Sequence, residues 1–155
     1  VEEITVVIKQ YVLERFEREY NLLIELPGVS AIVACVILSE IGPNVEAFKS
    51  QGNLASWAGV CPGSYESAGI KKSSHTTQGN KYLKSILFQA GGTAGRSKDE
   101  AFHNLYARIS GRSSKMKAII ACAHKMIRVI YKILSTGEHY DAKKALGLRQ
   151  QARAN

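Results

Sequence analysis

A chain of 155 residues, of which 45% are hydrophobic and 22% charged, fits one globular domain with enough chain to bury a core. The formal net charge is +8, and it is unevenly placed. Residues 1–66 hold four basic and nine acidic groups, a net of −5, whereas residues 67–155 hold seventeen basic and four acidic groups, a net of +13. Such one-sided charge favours a polyanion partner over a merely solvated basic face.

Several classes of protein are excluded by what the chain lacks. The longest apolar run, residues 31–38, is too short to span a bilayer, so no membrane partner is expected. The first residues, VEEITVV, are acidic, unlike a signal peptide, and they lack a starting Met, so we expect a piece of a longer protein. Cys35, Cys61 and Cys122 form no CxxC pair, so neither a zinc site nor a disulfide framework is predicted. Cys35 and Cys122 fall in apolar helical stretches and are predicted to be core thiols, and a reducing, cytoplasmic compartment is expected.

The chain begins with a predicted helix over residues 2–25, supported by the i,i+4 pair Glu14–Arg18. Its apolar residues cover more than a narrow stripe, which predicts packing against a partner chain or a missing domain. Pro27-Gly28 then ends this helix, and Ser30 is the predicted N-cap of the next one, which Gly42 ends.

The Pro27-Gly28 turn followed by an apolar helix resembles the helix-hairpin-helix element of DNA-binding proteins. A tight glycine turn at a helix N-terminus offers backbone N–H groups to a phosphate, so Gly28 and Ser30 are candidate nucleic-acid-binding residues. A plain helical hairpin is the alternative.

A long polar loop follows Trp57, because Gly59, Pro62 and Gly69 interrupt every periodic pattern. We expect Trp57 to be buried, capping the core and bracing this loop; base stacking is the less favoured interpretation. The segment 58–77 is predicted to be irregular. Long loops of this kind are often functional.

Three more helices complete the chain, and no strand pattern is found. The first begins at Thr77 or Gln78 and ends in the small residues 90–95, which allow a second helix to approach closely. The next opens with a capping box from Ser97 to Glu100 and ends at Gly111, and the last runs from Ser113 or Ser114 to about Ser135. The predicted fold is therefore all-α, with five or six helices and one long loop. Residues 141–155 are predicted to form a frayed basic tail.

The loop also holds the strongest candidate for chemistry. Ser67 lies beside Gly69, Lys71 and Lys72, so a serine on a glycine turn has positive charge nearby to hold a phosphate. No base is evident in the sequence around it except the adjacent Glu66. On chemistry alone Ser67 ranks only slightly above the competing serines, which are Ser64, Ser73 and Ser74. Four histidines without metal-ligand spacing, and no Walker-type loop, predict no cofactor in this chain.

Two sequence blocks carry a resemblance to a known family. PGVS…A…ILSEIG, followed by F…LASWAGVCPG…ESAG..K…T..GNKYLK, resembles the C-terminal domain of the IS one-ten transposases, a family that includes bridge-RNA-guided recombinases and Piv-type DNA invertases. The likeness runs from about Leu22 to Tyr140. It implies three parts: the end of a coiled-coil linker helix (1–25), the C-terminal transposase domain (26–140) and the basic tail (141–155).

The resemblance implies specific roles. Ser67 would be the nucleophile that forms a covalent phosphoserine link to DNA during strand exchange. An N-terminal RuvC-like domain of the full-length protein would hold Mg²⁺, and the partners would be DNA, a guide RNA and further copies of the same chain. The matched basic positions near nucleic acid are Lys71, Lys72, Lys81 and Lys84. The matched loop-shaping positions are Trp57, Gly59, Pro62, Gly69, Gly79 and Asn80.

This chain departs from the family pattern in three ways. The RuvC-like half is absent, so the chain alone is expected to be inactive. Gln78 stands where a basic residue is common, and Ser73-Ser74-His75 replaces a more basic or glycine-rich run. Two other functions therefore stay open: a non-catalytic nucleic-acid-binding domain, and an oligomerisation module with an incidental basic face.

Overall fold

The computed structural model describes residues 1–42, 44–61 and 79–146, together with the backbone of residues 65–67 and 70–73. The fold is all-α, as the sequence predicts. The helices are α1 (Glu2–Leu23), α2 (Ala31–Ile41), a 3-10 turn (Val45–Ala47), α3 (Gln51–Trp57), α4 (Lys81–Gly95), α5 (Glu100–Arg112) and α6 (Lys115–Thr136). Residues 142–146 are also helical. Among the described residues, no helix is long and apolar enough to cross a membrane.

One short element was not anticipated from the sequence. Strands β1 (Tyr65–Ser67) and β2 (Ile70–Ser73) pair as an antiparallel ribbon inside the segment that was expected to be irregular. Two strands of three and four residues are too short for the alternation of apolar and polar residues to become visible. The rest of residues 62–78 lies outside the described part of the chain.

Helix α4 lies at the centre of the domain because its C-terminal half is made of small residues. A Cβ atom on Gly91 would lie 2.7 Å from the backbone nitrogen of Ala123, so α4 and α6 touch backbone to backbone there. A Cβ on Gly95 would lie 2.8 Å from Cβ of Tyr106 on α5. The predicted close approach is thus confirmed, and it occurs inside the domain.

The first helix divides at Phe16, whose φ of −134° and ψ of 38° interrupt the helical geometry. After this kink the helix packs on the core, where Tyr20 and Leu23 are buried. Before it, large apolar side chains stay exposed. They are Ile4, Val6, Val7, Ile8 and Tyr11. The small-residue end of α4 is buried within the chain, whereas the exposed start of α1 remains available to a partner chain or a missing domain.

The helix boundaries follow their capping residues. Ser30 and Ser114 cap α2 and α6 as predicted, each accepting a hydrogen bond from a backbone N–H three residues later. The predicted Ser97 capping box is wrong. Asp99 caps α5 through the backbone N–H of Phe102, and the Ser97 hydroxyl donates instead to the carbonyl of Ala94 at the end of α4.

The start of the C-terminal tail is packed, which corrects the expectation of fraying for residues 141–146. Ala145 is buried, and its carbonyl accepts a 2.7 Å hydrogen bond from Nζ of Lys125. Just before it, the Tyr140 hydroxyl donates to Asp99 at 2.8 Å, and His139 pairs with Glu25 at 2.7 Å. These contacts fasten the chain across the α1–α2 turn and the start of α5. Residues 147–155 lie outside the described part.

The close contact between α4 and α6 predicts how a methyl group added at Gly91 changes the stability of the domain. Gly91→Ala should lower the free energy of unfolding by about 1–3 kcal/mol, because the new Cβ meets backbone that has no rotamer to change. Gly111→Ala is the matched control: nothing lies within 4 Å of its Cβ position in α5, so it should be neutral or raise stability by up to about 1 kcal/mol. Urea unfolding followed by circular dichroism measures both. Equal effects of the two substitutions would contradict the close approach.

Candidate nucleic-acid interface at the loop neck

Two distant pieces of the chain meet where the long loop leaves and rejoins the domain. We call residues 57–60 and 79–80 the loop neck. A Cβ on Gly79 would lie 2.5 Å from the carbonyl oxygen of Trp57 and 2.7 Å from Cα of Gly59. The backbone N–H of Asn80 donates to that same Trp57 carbonyl at 3.0 Å. The described loop-shaping residues therefore come together, and they close the chain between them into a loop.

Gly59 turns the chain at the end of α3. Its φ of +75° lies in the left-handed region that glycine adopts without strain. Its N–H donates to the carbonyl of Ser56 at 3.0 Å, and the N–H of Val60 donates to Ala55 at 3.1 Å. This pattern ends α3 and sends the buried Val60 into the core.

Asn80 joins the neck to two helices through one side chain. Its Oδ1 accepts hydrogen bonds from the backbone N–H groups of Tyr82 and Leu83, at 3.1 and 3.0 Å, and so caps α4. Its Nδ2 donates to Glu40 at the end of α2, at 2.6 Å. Sequence analysis missed Glu40. A polar contact spanning forty residues leaves no local pattern, since Glu40 resembles any exposed residue near a helix end.

Trp57 is less buried than the sequence predicts. Its ring lies 5.3 Å from that of Phe48, at a tilt of 53°, and so contacts the segment before α3. The expected bracing of the loop that follows stays a prediction, because most of that loop lies outside the described residues. Yet 38% of Trp57 remains exposed. The expectation of a buried ring is wrong, because the ring lies at the rim of the neck instead of beneath it.

The basic residues that open α4 lie directly beside the neck. Lys81 is exposed, and its Nζ lies 5.3 Å from the centre of the Tyr82 ring. Nζ of the half-buried Lys84 lies 5.8 Å from the ring of Phe88. Both are cation–π distances, which hold the long basic side chains along the helix surface.

The ribbon places Ser67 at the last paired position of β1, opposite Ile70. Its neighbour Glu66 is opposite Lys71, and a register shift lies between Tyr65 and Glu66. Only two residues, 68 and 69, connect the strands. The side chains of Ser67, Lys71 and Lys72 lie outside the described part of the chain, so their roles stay predictions.

The same holds for several other positions singled out in the sequence. Outside the described part, at both backbone and side chain, are Pro62, Ser64, Gly69, Ser74, His75 and Gln78. Ser73 is described only as a residue of β2.

The Gly28 turn faces the interior. Gly28 has a φ of +79°, and a Cβ there would lie 2.9 Å from the backbone nitrogen of Ala94, so glycine is needed for packing against α4. Ser30 is exposed, and its hydroxyl accepts from the Val33 N–H at 3.4 Å. Phosphate binding by either residue stays a prediction.

The titratable groups of the described core do not form a reactive centre. Burial raises the pKa of the Cys122 thiol to about 11, which keeps it protonated near neutral pH. Burial, and secondarily the charge of Arg128, lowers the pKa of His124. Within residues 1–42, 44–61 and 79–146 no group of three His, Cys, Asp or Glu side chains could hold a metal ion. We therefore derive no metal-dependent step from these residues.

Comparison with known proteins places the chain in a family. Residues 20–107, more than half of the chain, match the Transposase IS116/IS110/IS902 family. The chain belongs to this family. The matched range contains α2, the loop neck, both strands and all of α4.

Individual relatives extend the likeness beyond that region. "Putative transposase y4pF/y4sB" of Sinorhizobium fredii is 32% identical over 136 residues, covering 83% of this chain and 34% of that protein. An IS110 insertion-element protein of Streptomyces coelicolor is 28% identical, covering 84% and 32%. The pilin gene-inverting protein of Moraxella bovis is 29% identical, covering 79% and 39%. The chain thus spans about a third of the length of these relatives.

The role of Asn80 in the transposase-family domain is testable by stability. Asn80→Ala should lower the free energy of unfolding by about 1–2 kcal/mol, because it removes the cap of α4 and the donor to Glu40. Glu40→Gln should cost less, since an amide oxygen can still accept from Nδ2. Asn104→Ala, an exposed asparagine of α5, is the control and should change stability by less than about 0.5 kcal/mol. Equal unfolding midpoints for Asn80→Ala and Asn104→Ala would contradict this account of the neck.

Proposed function

We propose that this domain binds DNA through its basic half and presents Ser67 as the nucleophile of strand exchange in a longer transposase. The observation that carries the proposal is the two-stranded ribbon with Ser67 at the end of β1, in a loop whose two ends are fixed at the neck. A nucleophile needs a defined position relative to the phosphate it attacks, and a closed neck limits where the loop can go. Membership of a transposase family, and likeness to a gene-inverting protein, support the same reading.

The proposed chemistry is a transesterification. The Ser67 hydroxyl gives its proton to a base, its oxygen forms a bond to a DNA phosphorus, and the bond from that phosphorus to one sugar oxygen breaks. That sugar oxygen takes up one proton and so becomes the hydroxyl of the departing strand end, while the other strand end stays attached to Ser67 through the phosphate. A sugar hydroxyl of the partner strand then attacks the phosphoserine and releases the serine. The number of phosphoester bonds is unchanged, so no external energy source is needed.

The remaining parts of the proposal concern partners. A RuvC-like domain elsewhere in the longer protein would supply the Mg²⁺ and the base that Ser67 lacks locally, and a guide RNA would join the DNA on the basic half. A second copy of the chain is the proposed occupant of the apolar start of α1, where Val7 is 64% exposed and Ile8 47%. A helix this apolar on its outer surface is stabilised by burial against another helix.

DNA binding is testable with this chain alone. If four to six phosphates are neutralised, the logarithm of the affinity for duplex DNA should fall with the logarithm of salt concentration at a slope of about −4 to −5. Changing Lys71 and Lys72 together to Ala should reduce the magnitude of the slope by up to about 2. Fluorescence anisotropy of a labelled duplex measures both. An affinity that does not change with salt concentration would contradict phosphate-mediated binding of nucleic acid and would favour the oligomerisation module.

The nucleophile is testable in the full-length parent protein. Ser67→Ala should abolish strand exchange and the covalent protein–DNA adduct, while duplex affinity stays within about twofold, because one hydroxyl adds little to a phosphate-dominated interface. Ser64→Ala, Ser73→Ala and Ser74→Ala are the matched controls and should retain the adduct. Normal exchange by Ser67→Ala, with binding intact, would leave the non-catalytic nucleic-acid-binding domain as the better description.

A further inference from the structure

The loop neck carries a second feature that the proposed strand exchange does not use. Trp57 is the single tryptophan of the chain, and 38% of it is exposed although its ring contacts Phe48. Core packing does not account for the exposed part of this ring, since the neighbouring Leu54, Ala55 and Ala58 are the residues that this segment buries in the core.

The exposed ring forms one wall of a surface depression. Its other lining residues are Asn53, Ser56, Gly79 and Asn80, which contribute amide and hydroxyl groups. Within the described part of the chain, neither the Asn53 side-chain amide nor the Ser56 hydroxyl hydrogen-bonds to another residue. An aromatic wall with donors and acceptors beside it matches the two needs of a nucleobase: a surface for its ring and partners for its polar edge.

The surroundings of the depression suit a charged strand. The exposed Lys81 follows Asn80 directly in the chain. Tyr82 comes next and is 63% exposed, and Nζ of Lys81 lies 5.3 Å from the centre of its ring. Alternation of aromatic and basic groups is the arrangement by which proteins hold single strands, the rings stacking on bases and the cations contacting phosphates. Duplex DNA cannot use the rings in this way, because its bases are already stacked.

We propose that the depression at Trp57 is a stacking site for one unpaired nucleobase of a single strand, with Asn53 and Ser56 contacting the polar edge of the base. This inference rests on the proposed nucleic-acid binding and adds to it a contact that reads bases instead of phosphates. During strand exchange, unpaired bases arise wherever a duplex is opened. A base held at the neck would fix the strand close to the point where the loop bearing Ser67 leaves the domain.

The test uses the intrinsic fluorescence of the wild-type chain, since Trp57 is the only tryptophan that can report. The first ligand is oligodeoxythymidylate. The second is an oligonucleotide of the same length made of abasic residues, which keeps the phosphates and lacks the bases. Oligodeoxythymidylate should quench Trp57 on binding, whereas the abasic strand should bind with similar salt dependence and leave the fluorescence unchanged. Oligouridylate, compared at equal length, tells whether DNA or RNA is the preferred source of the base.

Variants then measure the contribution of the ring. Trp57→Ala should weaken binding of labelled oligodeoxythymidylate about 5- to 150-fold and leave the abasic strand unaffected, whereas Trp57→Phe, which keeps a ring against Phe48, should lose less. Asn53→Ala alters the polar edge without touching the core, and it should also weaken thymidylate binding selectively. Circular dichroism of each variant checks folding.

The outcomes separate this inference from the proposed function. Equal affinity for both strands without selective quenching would overturn the stacking site while leaving phosphate binding intact. Failure of every strand to bind at low salt would overturn both. If the abasic strand quenches Trp57 as strongly as oligodeoxythymidylate does, the fluorescence reports phosphate binding or a shape change. That result too would overturn the stacking site.

Discussion

The backbone contact between Gly91 of α4 and Ala123 of α6 is the constraint on which the rest of the domain depends. Without side chains between them, the two helices approach closely enough for α4 to become the element that others pack around. The α1–α2 turn then fits against Ala94 through Gly28, and α5 fits against Gly95 through Tyr106. In each of these three contacts, one of the two contacting residues is a glycine. The position of α4 is therefore fixed by α6, by the α1–α2 turn and by α5.

Fixing α4 also fixes the loop neck, because Asn80 is its N-cap. The position of Asn80 determines where the chain re-enters the domain, and its hydrogen bonds to Glu40 and to the Trp57 carbonyl tie that point to α2 and α3. The neck is thus not a property of the loop sequence alone. It is built by three helices, and the residues between its two ends can vary in sequence without moving the points from which the loop leaves and returns.

A structural feature could be predicted from the sequence when the residues that determine it are close together in the chain. Local patterns were sufficient for the caps at Ser30 and Ser114 and for the small-residue stretch of α4, because each depends on a few neighbours in the chain. Local patterns failed where partners are distant. Asp99, whose carboxylate also accepts a hydrogen bond from the distant Tyr140, caps α5 in place of Ser97, and Glu40 carries no local sign of its contact with Asn80.

The loop-shaping residues show the same division. Gly59, Gly79 and Asn80 are loop-shaping positions that the family resemblance implies, and they lie together at the loop neck, but the resemblance does not give the contacts that join them. The reason is physical: Gly79 is required because backbone of Trp57 and Gly59 occupies the place of its Cβ, a contact that no periodicity encodes.

The backbone and the side chain of Trp57 are in different environments. Its carbonyl oxygen closes the neck by accepting from Asn80, and its ring lies partly in water. Because the closing contact is made by the backbone, substitution of the ring leaves that hydrogen bond in place. The backbone contact demands a fixed main chain here but tolerates many side chains, so closure of the neck does not account for the exposed part of the ring. The proposed nucleobase site would use that exposed part, and it would place base recognition and loop closure on one residue.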